Sequence, residues 1–545
     1  MVAGSCSESR DVRPRADAAP TTSSSSTSLA DEGSSATSQA TSGVDGGSST
    51  NTIAAEVGGE LPITVDVGLE LGPISPLIRG LSGGVDHNVL RDLGATVNSW
   101  GGNPASRFNY ELGHAWNAGA DWEYRNGNYG QSGDAARDFI VESEAGGAMV
   151  RLAVPTLGWI AKDDNNDTCS FPTADGCTGG DGLSCDNPGS VADPTLANVP
   201  STPEMVGNWI ERLLGDGATV PFVAMDNEPE LWGHTHYDIH PGCTTYEEVL
   251  ERYLSYADAV QAAAPGARLM GPVTCCWFDY WRTAPGPADG QDVDYLTWFL
   301  EQVRRHDERV GARSLHLLDV HYYPQSDVYN DETDAETAAR RLRSTRSLWD
   351  PTYVDESWIG TPIQFVRRMR DTIVAAYPGT GLAISEWNFG ADTTMNGALA
   401  IADVLGIYGR EGVELAAYWQ HPPLGSPGAF AFKMHGNYDG QGSAFTGVAL
   451  DITTPDVDAL GAFAALDRDA GRLRILLINK SPDEELAVPV SIAGTTLGPG
   501  KAALYRYSEA AAGEIVREEM QLEPDGLQVE LPAYSITLVE VPLTS

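Results

Sequence analysis

Residues 220–241 read VPFVAMDNEPELWGHTHYDIHP. An apolar run, Val220 to Met225, stops abruptly at Asp226, Asn227, Glu228 and Pro229, so a buried strand delivers a carboxylate to the mouth of a sheet or barrel. Reactive groups of barrel enzymes sit at the carboxyl ends of strands. The same punctuation recurs on both sides of this stretch. Strands are predicted over residues 95–100, 149–154, 268–273, 315–322, 382–386 and 415–419, each closing near Gly, Asn, Pro, His or an acid. Helices are predicted between them. Residues 203–214 and 294–310 carry apolar side chains at three- and four-residue steps, and residues 246–263 follow Thr244 with Glu247 at capping-box spacing. Strands alternating with helices over this length predict an α/β fold with a (β/α)8 TIM-like barrel, over residues 76–449. No G-x-G-x-x-G follows the first strand, so a dinucleotide-binding sheet loses its main signal.

The flanks read differently. Residues 1–56 are rich in Ser, Thr, Ala and Gly and almost free of large apolar side chains, the composition of a disordered tether. Residues 450–545 lose the helical period and give short strands separated by turn signals, a predicted β-sandwich. LPITVDVGLEL, residues 61–71, alternates like a half-buried strand with no partner before the barrel. The stretch 57–75 is therefore expected to join the C-terminal sandwich, leaving the barrel inserted between two parts of one small domain.

Lys and Arg number 34 against 76 Asp and Glu, a formal net charge of −42. Such a surface repels phosphate backbones and anionic lipid and disfavours nucleic-acid partners, while neutral polymers such as polysaccharides remain open. No apolar stretch has the length of a membrane span. Val2 to Cys6 resembles the end of a bacterial lipoprotein signal, making Cys6 a candidate lipid anchor and pointing to a secreted or surface-tethered protein. Three of the other cysteines, Cys169, Cys177 and Cys185, share one irregular loop. With Cys243, Cys275 and Cys276 they form an even set whose spacing suits loop-stapling disulfides or buried thiols better than zinc.

The second carboxylate candidate is Glu386, in GLAISEWNFGAD, again at the end of an apolar run. Two glutamates on separate strand ends suit glycoside hydrolysis, where one acid protonates the leaving oxygen and the other attacks the anomeric carbon. Sugar rings stack on aromatic faces, and aromatics crowd the same strand ends: Trp100 before Gly-Gly-Asn103, Trp159, Trp232, Tyr322 and Tyr323 after His321, Trp387 and Trp419.

DNEPELWGHTHYDIHP, WGGNPASRFNYE with DWEYRN, LDVHYYP, SEWNFG and AFAFKMHGNYDG together resemble glycoside hydrolase family 44, from about Leu61 to the C-terminus. The resemblance implies a retaining endo-β-1,4-glucanase or xyloglucanase of clan A type with a barrel and a β-sandwich. The expected partner is a β-glucan polysaccharide, the expected state a monomer, and no cofactor is expected to be required. The resemblance also implies Glu228 as acid/base and Glu386 as nucleophile, Asn227 bonding the sugar 2-hydroxyl, Tyr322 orienting the nucleophile and Trp419 stacking at the cleavage point. The candidate substrate-binding set is then Asn227, Trp100, Asn103, Trp159, Trp232, His321, Tyr322, Trp387 and Trp419. A raised pKa is expected for Glu228, from apolar surroundings and the charge of Glu386. In one place the chain departs from the family pattern. An Arg is expected before Trp100-Gly-Gly-Asn, and Asn98 and Ser99 stand there instead, with Arg107 as a candidate replacement.

His234, His236 and His240 invite a zinc reading, but no thiolate or second cluster supports it, and they are read as lining the cleft or bracing the Glu228 loop. Asp163, Asp164 and Asp167 offer oxygen ligands for a structural calcium ion. Their spacing fits no standard calcium loop, and a solvated loop is the competing reading.

Overall fold

The structure, a computed structural model, describes residues 60–543 apart from 131–132, 175, 180–181, 282–292, 496, 498–499, 512 and 524–525. Cys6 and the tether 1–56 lie outside the described residues. The chain enters through β1 (Ile63–Pro73) and then closes a parallel barrel in chain order. Its strands are β2 (Gly80–Ser82), β3 (Val97–Trp100), β4 (Met149–Val154), β5 (Phe222–Met225), β6 (Arg268–Thr274), β7 (Leu317–Tyr322), β8 (Gly381–Trp387) and β9 (Leu415–Tyr418), with β9 returning to β2. The predicted barrel is present. Its strands are buried on both faces, which is why FVAM and LAAY read as continuous apolar runs without alternation. The strand absent from the sequence reading is β2. Three residues beside a Gly-Gly pair carry no period, and β2 is defined only by its neighbours β9 and β3.

Helices α1 (His87–Leu93), α2 (Ala135–Gly146), α3 (Pro203–Gly215), α4 (Tyr246–Ala263), α5 (Tyr295–Val310), α6 (Ala335–Ser344), α7 (Phe365–Ala376), α8 (Met395–Glu411) and α9 (Pro427–Gly436) surround it. The cap of α4 differs from expectation by one residue: Thr245 accepts from the Glu248 N–H. Thr244 instead donates its hydroxyl to the carbonyl of Pro229 and ties α4 to the Glu228 loop.

Short two-stranded ribbons decorate the barrel loops, and after the barrel come β10 (Val448–Thr453), β11 (Leu460–Asp467), β12 (Arg472–Asn479), β13 (Leu486–Ala493), β14 (Lys501–Ser508), β15 (Val516–Gln521), β16 (Gly526–Leu531) and β17 (Ser535–Pro542). With β1 they form one nine-stranded sheet in the order β15-β14-β17-β12-β11-β10-β1-β13-β16. β1 runs antiparallel to β10 and parallel to β13, so it lies inside the sheet rather than at its edge. β10 straddles the expected boundary at residue 450, and β15, VREEMQ, has too few apolar side chains to be seen in the sequence.

The sheet buries both faces, and the central strands show how. Leu473, Ile475 and Leu477 of β12 enter the sheet's own core with Val488, Val529 and Val539, while Leu476 and Ile478 join the barrel's core. A period of two sends alternate residues to opposite faces, and here both faces are apolar. The element between barrel and sheet is α8, buried along nearly its whole length. At Gly406 the Phe463 ring takes the space a side chain would need: an added Cβ would lie 2.4 Å from it. Gly406→Val should therefore lower stability by about 1–3 kcal/mol, read as a drop in melting temperature. A Tm at or above wild type would refute this packing. A buried ion pair, Lys480 Nζ to Asp403 Oδ2 at 2.9 Å, also joins the sheet to α8.

Candidate active site

The Glu228 loop is held in an unusual backbone conformation. Asp226 (φ 71°) and Glu228 (φ 45°) both lie in the left-handed region, which costs free energy in a non-glycine residue unless the surroundings enforce it. Asp226 enforces it. Its buried carboxylate accepts from the N–H groups of Thr156, Leu157 and Asn227 and from the Trp232 indole. The Glu228 N–H bonds the carbonyl of Val273. Below, buried Glu230 accepts from the Cys275 N–H.

This brings Glu228, from the end of β5, opposite Glu386, from the end of β8. Their carboxylate oxygens and a ring nitrogen of His321 all lie within 4.8 Å of one another. His321 Nδ1 is 2.8 Å from Glu228 Oε1 and 3.4 Å from Glu386 Oε2. Burial alone would lower the His321 pKa, but the charge of Glu386 and the bond and charge of Glu228 outweigh it and hold it above its ordinary value. Glu386 is pushed up to about 7: burial raises it, His321 pulls it down, Glu228 raises it and Arg151 pulls it down again. Glu386 is the more buried of the two acids, its side chain 8% exposed against 15% for Glu228.

Tyr323, not Tyr322, donates to Glu386, at 3.1 Å. Tyr322 turns into the core against Phe365 and Phe389, its hydroxyl buried without a hydrogen-bond partner among the described residues. The cause is a register shift between Val320 and His321 that sets His321 opposite Glu386 and leaves Ser385 unpaired in that ladder. A single inserted residue reverses the side-chain alternation beyond it. Tyr323→Phe should lower kcat about 10–100-fold, the worth of one hydrogen bond to a charged group, and Tyr322→Phe should leave activity within about two-fold because it breaks no bond. Loss of activity in Tyr322→Phe alone would reverse the assignment.

The positive neighbour of Glu386 is Arg151, which the sequence reading passed over within MVRLAV. Ser99, where an Arg was expected, pairs in register with Arg151 on the adjacent strand. The Arg151 guanidinium reaches across to the Ser99 hydroxyl and pairs with Asp319 at 2.9 Å, both side chains essentially inaccessible. Arg107 does not take this place. It is fully buried in a two-pronged pair with Asp238 and donates to His236 Nδ1.

Of the other candidates, Asn227 is in the site: its Oδ1 accepts from the Gly102 N–H and its Nδ2 donates to Asn103 Oδ1. Trp419, half-buried beyond β9, lies on Gly102, where an added Cβ would be 2.6 Å from the ring. Trp159 is half-buried in a ribbon after β4. Three tryptophans leave the cleft. Trp100 packs on Phe108, Tyr129 and Phe139, Trp387 on Tyr408 and Tyr418, and Trp232 is 1% exposed under Arg252. The exposed aromatics are others, notably Phe278 after β6 and Trp358 before α7, stacked at 4.8 Å.

The histidines of the loop have separate partners: His234 bonds Asp186, His236 receives Arg107, and His240 bonds Glu248. They brace the loop and do not converge on a metal position. Asp163 accepts from Asn126 and Thr168, and Asp164 bonds His114, while Asp167 donates its N–H to Asn165. The cysteines pair as Cys169–Cys177, Cys185–Cys243 and the adjacent Cys275–Cys276. Cys185–Cys243 spans the loop that carries Glu228.

The chain is similar to known glycan-degrading enzymes. The sequence profile of glycoside hydrolase family 44 matches residues 115–326. The β-mannanase/endoglucanase A of Caldicellulosiruptor saccharolyticus is 29% identical over 478 residues, 79% of this chain. The endoglucanase A of Paenibacillus lautus is 28% identical over 470 residues, 80% of this chain. The chain spans 35% and 66% of the lengths of these two relatives. A solved bifunctional glucanase-xylanase from a metagenome library is 32% identical and superposes with a TM-score of 0.83 over 89% of this chain and 99% of its own. With a relative this similar along nearly its whole length and a family profile covering the Glu228 loop, the chain belongs to glycoside hydrolase family 44.

Proposed function

We propose that this protein is an exported endo-β-1,4-glucan hydrolase that works by double displacement with retention. The carrying observation is the approach of Glu228 and Glu386 to within 4.8 Å, oxygen to oxygen. That supports the spacing of retaining enzymes, about 5–5.5 Å, over the roughly 6.5–9.5 Å that leaves room for a water in inverting ones. Glu386, oriented by Tyr323 and held near Arg151, attacks the anomeric carbon while Glu228 protonates the leaving oxygen. Water then releases the covalent glycosyl-enzyme with Glu228 as base. His321, between the two acids, passes its hydrogen bond to whichever carries charge. Asn227 bonds the 2-hydroxyl and Trp419 stacks under the ring at the cleavage point. The steps run on side chains alone.

The named activities of the relatives, glucanase, xylanase and mannanase, supply the rival substrates. Reducing-sugar release over β-glucan, xyloglucan, xylan and mannan should be largest on a β-glucan, with a rapid fall in viscosity and a β-anomer first seen by NMR. An α-anomer would exclude retention, preference for xylan or mannan would reassign the substrate, and binding without release would leave a silent glycan-binding protein. Export is supported by the disulfides Cys169–Cys177 and Cys185–Cys243, since such bridges persist in oxidising compartments. Among the described residues no helix is long and apolar enough to cross a membrane.

A further inference from the structure

Asn227 can meet a sugar hydroxyl in two ways, with Nδ2 as donor or Oδ1 as acceptor, and a half-turn of the amide exchanges them. The partners around an amide decide which way it faces. Here they form a row of side chains from distant parts of the chain: Asn227 past β5, Asn103 past β3, and Asp121 in the short turn Gly119–Trp122. The Gly102 N–H donates to Asn227 Oδ1 at 3.2 Å, Asn227 Nδ2 donates to Asn103 Oδ1 at 3.0 Å, and Asn103 Nδ2 donates to Asp121 Oδ2 at 2.7 Å.

The two ends of this row have no choice of polarity. A main-chain N–H only donates, and an ionised carboxylate only accepts. Both amides between them are therefore fixed. With Nδ2 turned to Asp121, Asn103 must turn Oδ1 to Asn227, and Asn227 must answer with Nδ2. Reversing either amide sets two donors or two acceptors against each other. The Asp121 end is itself held in place. Gly119 lies in the left-handed region (φ 62°), and an added Cβ there would collide with the carbonyl oxygen of Thr235, so the turn carrying Asp121 rests directly on the loop that follows Glu228. Among the described residues Asn227 Nδ2 has no acceptor besides Asn103, which leaves one of its two N–H groups over.

We propose that Asp121 is a positioning residue for the reaction: through Asn103 it locks the Asn227 amide so that Nδ2, and not Oδ1, is offered to the sugar 2-hydroxyl. This inference rests on the reading of Asn227 as the partner of that hydroxyl. A 2-hydroxyl that accepts from Asn227 keeps its own proton for a second bond, and bonds to this hydroxyl strengthen in the transition state. Asp121 thus acts on the rate without touching the reacting atoms.

The test is steady-state kinetics at neutral pH on an aryl β-cello-oligosaccharide and on its analogue lacking the 2-hydroxyl of the ring that bears the aryl group. Asp121 is exposed, so folding is not at stake in its exchange. Asp121→Ala should lower kcat on the parent substrate about 5–10-fold with KM little changed, the worth of one misaligned hydrogen bond, and should leave the 2-deoxy analogue within about two-fold. Asp121→Asn, which still accepts through its oxygen, should recover most of the loss. Added to Asn227→Ala, Asp121→Ala should cost nothing further, because the group it acts through is gone. No loss, an equal loss on both substrates, or an undiminished further loss in the Asn227→Ala background overturns the proposal. Asn227→Ala alone separates the two levels of the argument. If it loses rate only on the parent substrate while Asp121→Ala does not discriminate, the role of Asp121 falls by itself; if it loses equally on both, the 2-hydroxyl reading falls and takes this inference with it.

Discussion

Glu386→Gln should abolish glucan hydrolysis, lowering kcat/KM by roughly 10⁴-fold or more, and should at the same time make the protein more stable at neutral pH. The first effect is loss of the attacking oxygen. The second follows from the raised pKa, about 7 in the fold against an ordinary 4.5. Between those values the native protein keeps a proton that the unfolded chain has released, so stability falls as pH rises through this window. The penalty is fully present above about pH 7 and absent below about pH 4.5. Glutamine never carries the charge, so the variant should gain on the order of 1–3 kcal/mol at about pH 8 and nothing near pH 4. Melting curves at the two pH values check this, and a variant that melts below wild type at the higher pH would show that Glu386 is not the strained acid. Azide separates the roles of the two acids. In Glu386→Gly it can attack in place of the nucleophile and give an α-glycosyl azide, whereas in Glu228→Ala it intercepts the glycosyl-enzyme and gives the β-product.

Arg151→Met should be nearly as damaging, through two routes that can be told apart. Asp319 is left ionised in the barrel interior without its partner, a loss of about 3–5 kcal/mol in stability. The positive charge that pulls the Glu386 pKa down is also gone. The acid limb of the kcat/KM profile should therefore move to higher pH, because less Glu386 is ionised at any given pH. The register pair Ser99 and Arg151 suggests the rescue. In the double exchange Ser99→Arg with Arg151→Ser, the guanidinium starts from the neighbouring strand, and it should recover both Tm and the position of the acid limb in part. Recovery of Tm with an unmoved acid limb would make Arg151 a partner of Asp319 only.

The barrel strands after β2 were legible because parallel strands between helices must be apolar on both faces, and both acids were legible because each ends such a run. What could not be read is direction. Trp100, Trp232 and Trp387 stand beside polar loop residues exactly as cleft aromatics would, yet all three rings turn inward, and nothing local distinguishes a ring above a barrel from one packed behind it. Tyr322 and Tyr323 are adjacent, and a register shift two residues earlier decides which one meets Glu386. Arg151 sits in a strand that otherwise reads as core, because the compensating Asp319 is contributed by a strand far along the chain. Charges that neutralise each other inside a barrel leave no local signature.

The position of β1 has a consequence for the cost of folding. β1 leads directly into the barrel and β10 follows its last helix, and the two are neighbours in one sheet, Thr64 beside Thr453. Once that pair has formed, the whole barrel is a closed loop, with both ends tethered at a common point. Closing a long loop removes entropy from the unfolded chain in the way a distant cross-link does, so a barrel that melts while the sheet holds has less freedom to gain than a free chain. The order of synthesis runs the other way. β1 leaves the ribosome before the barrel, and neither β10 nor β13 exists until the barrel has been made, so β1 waits for its partners while every barrel strand is synthesised.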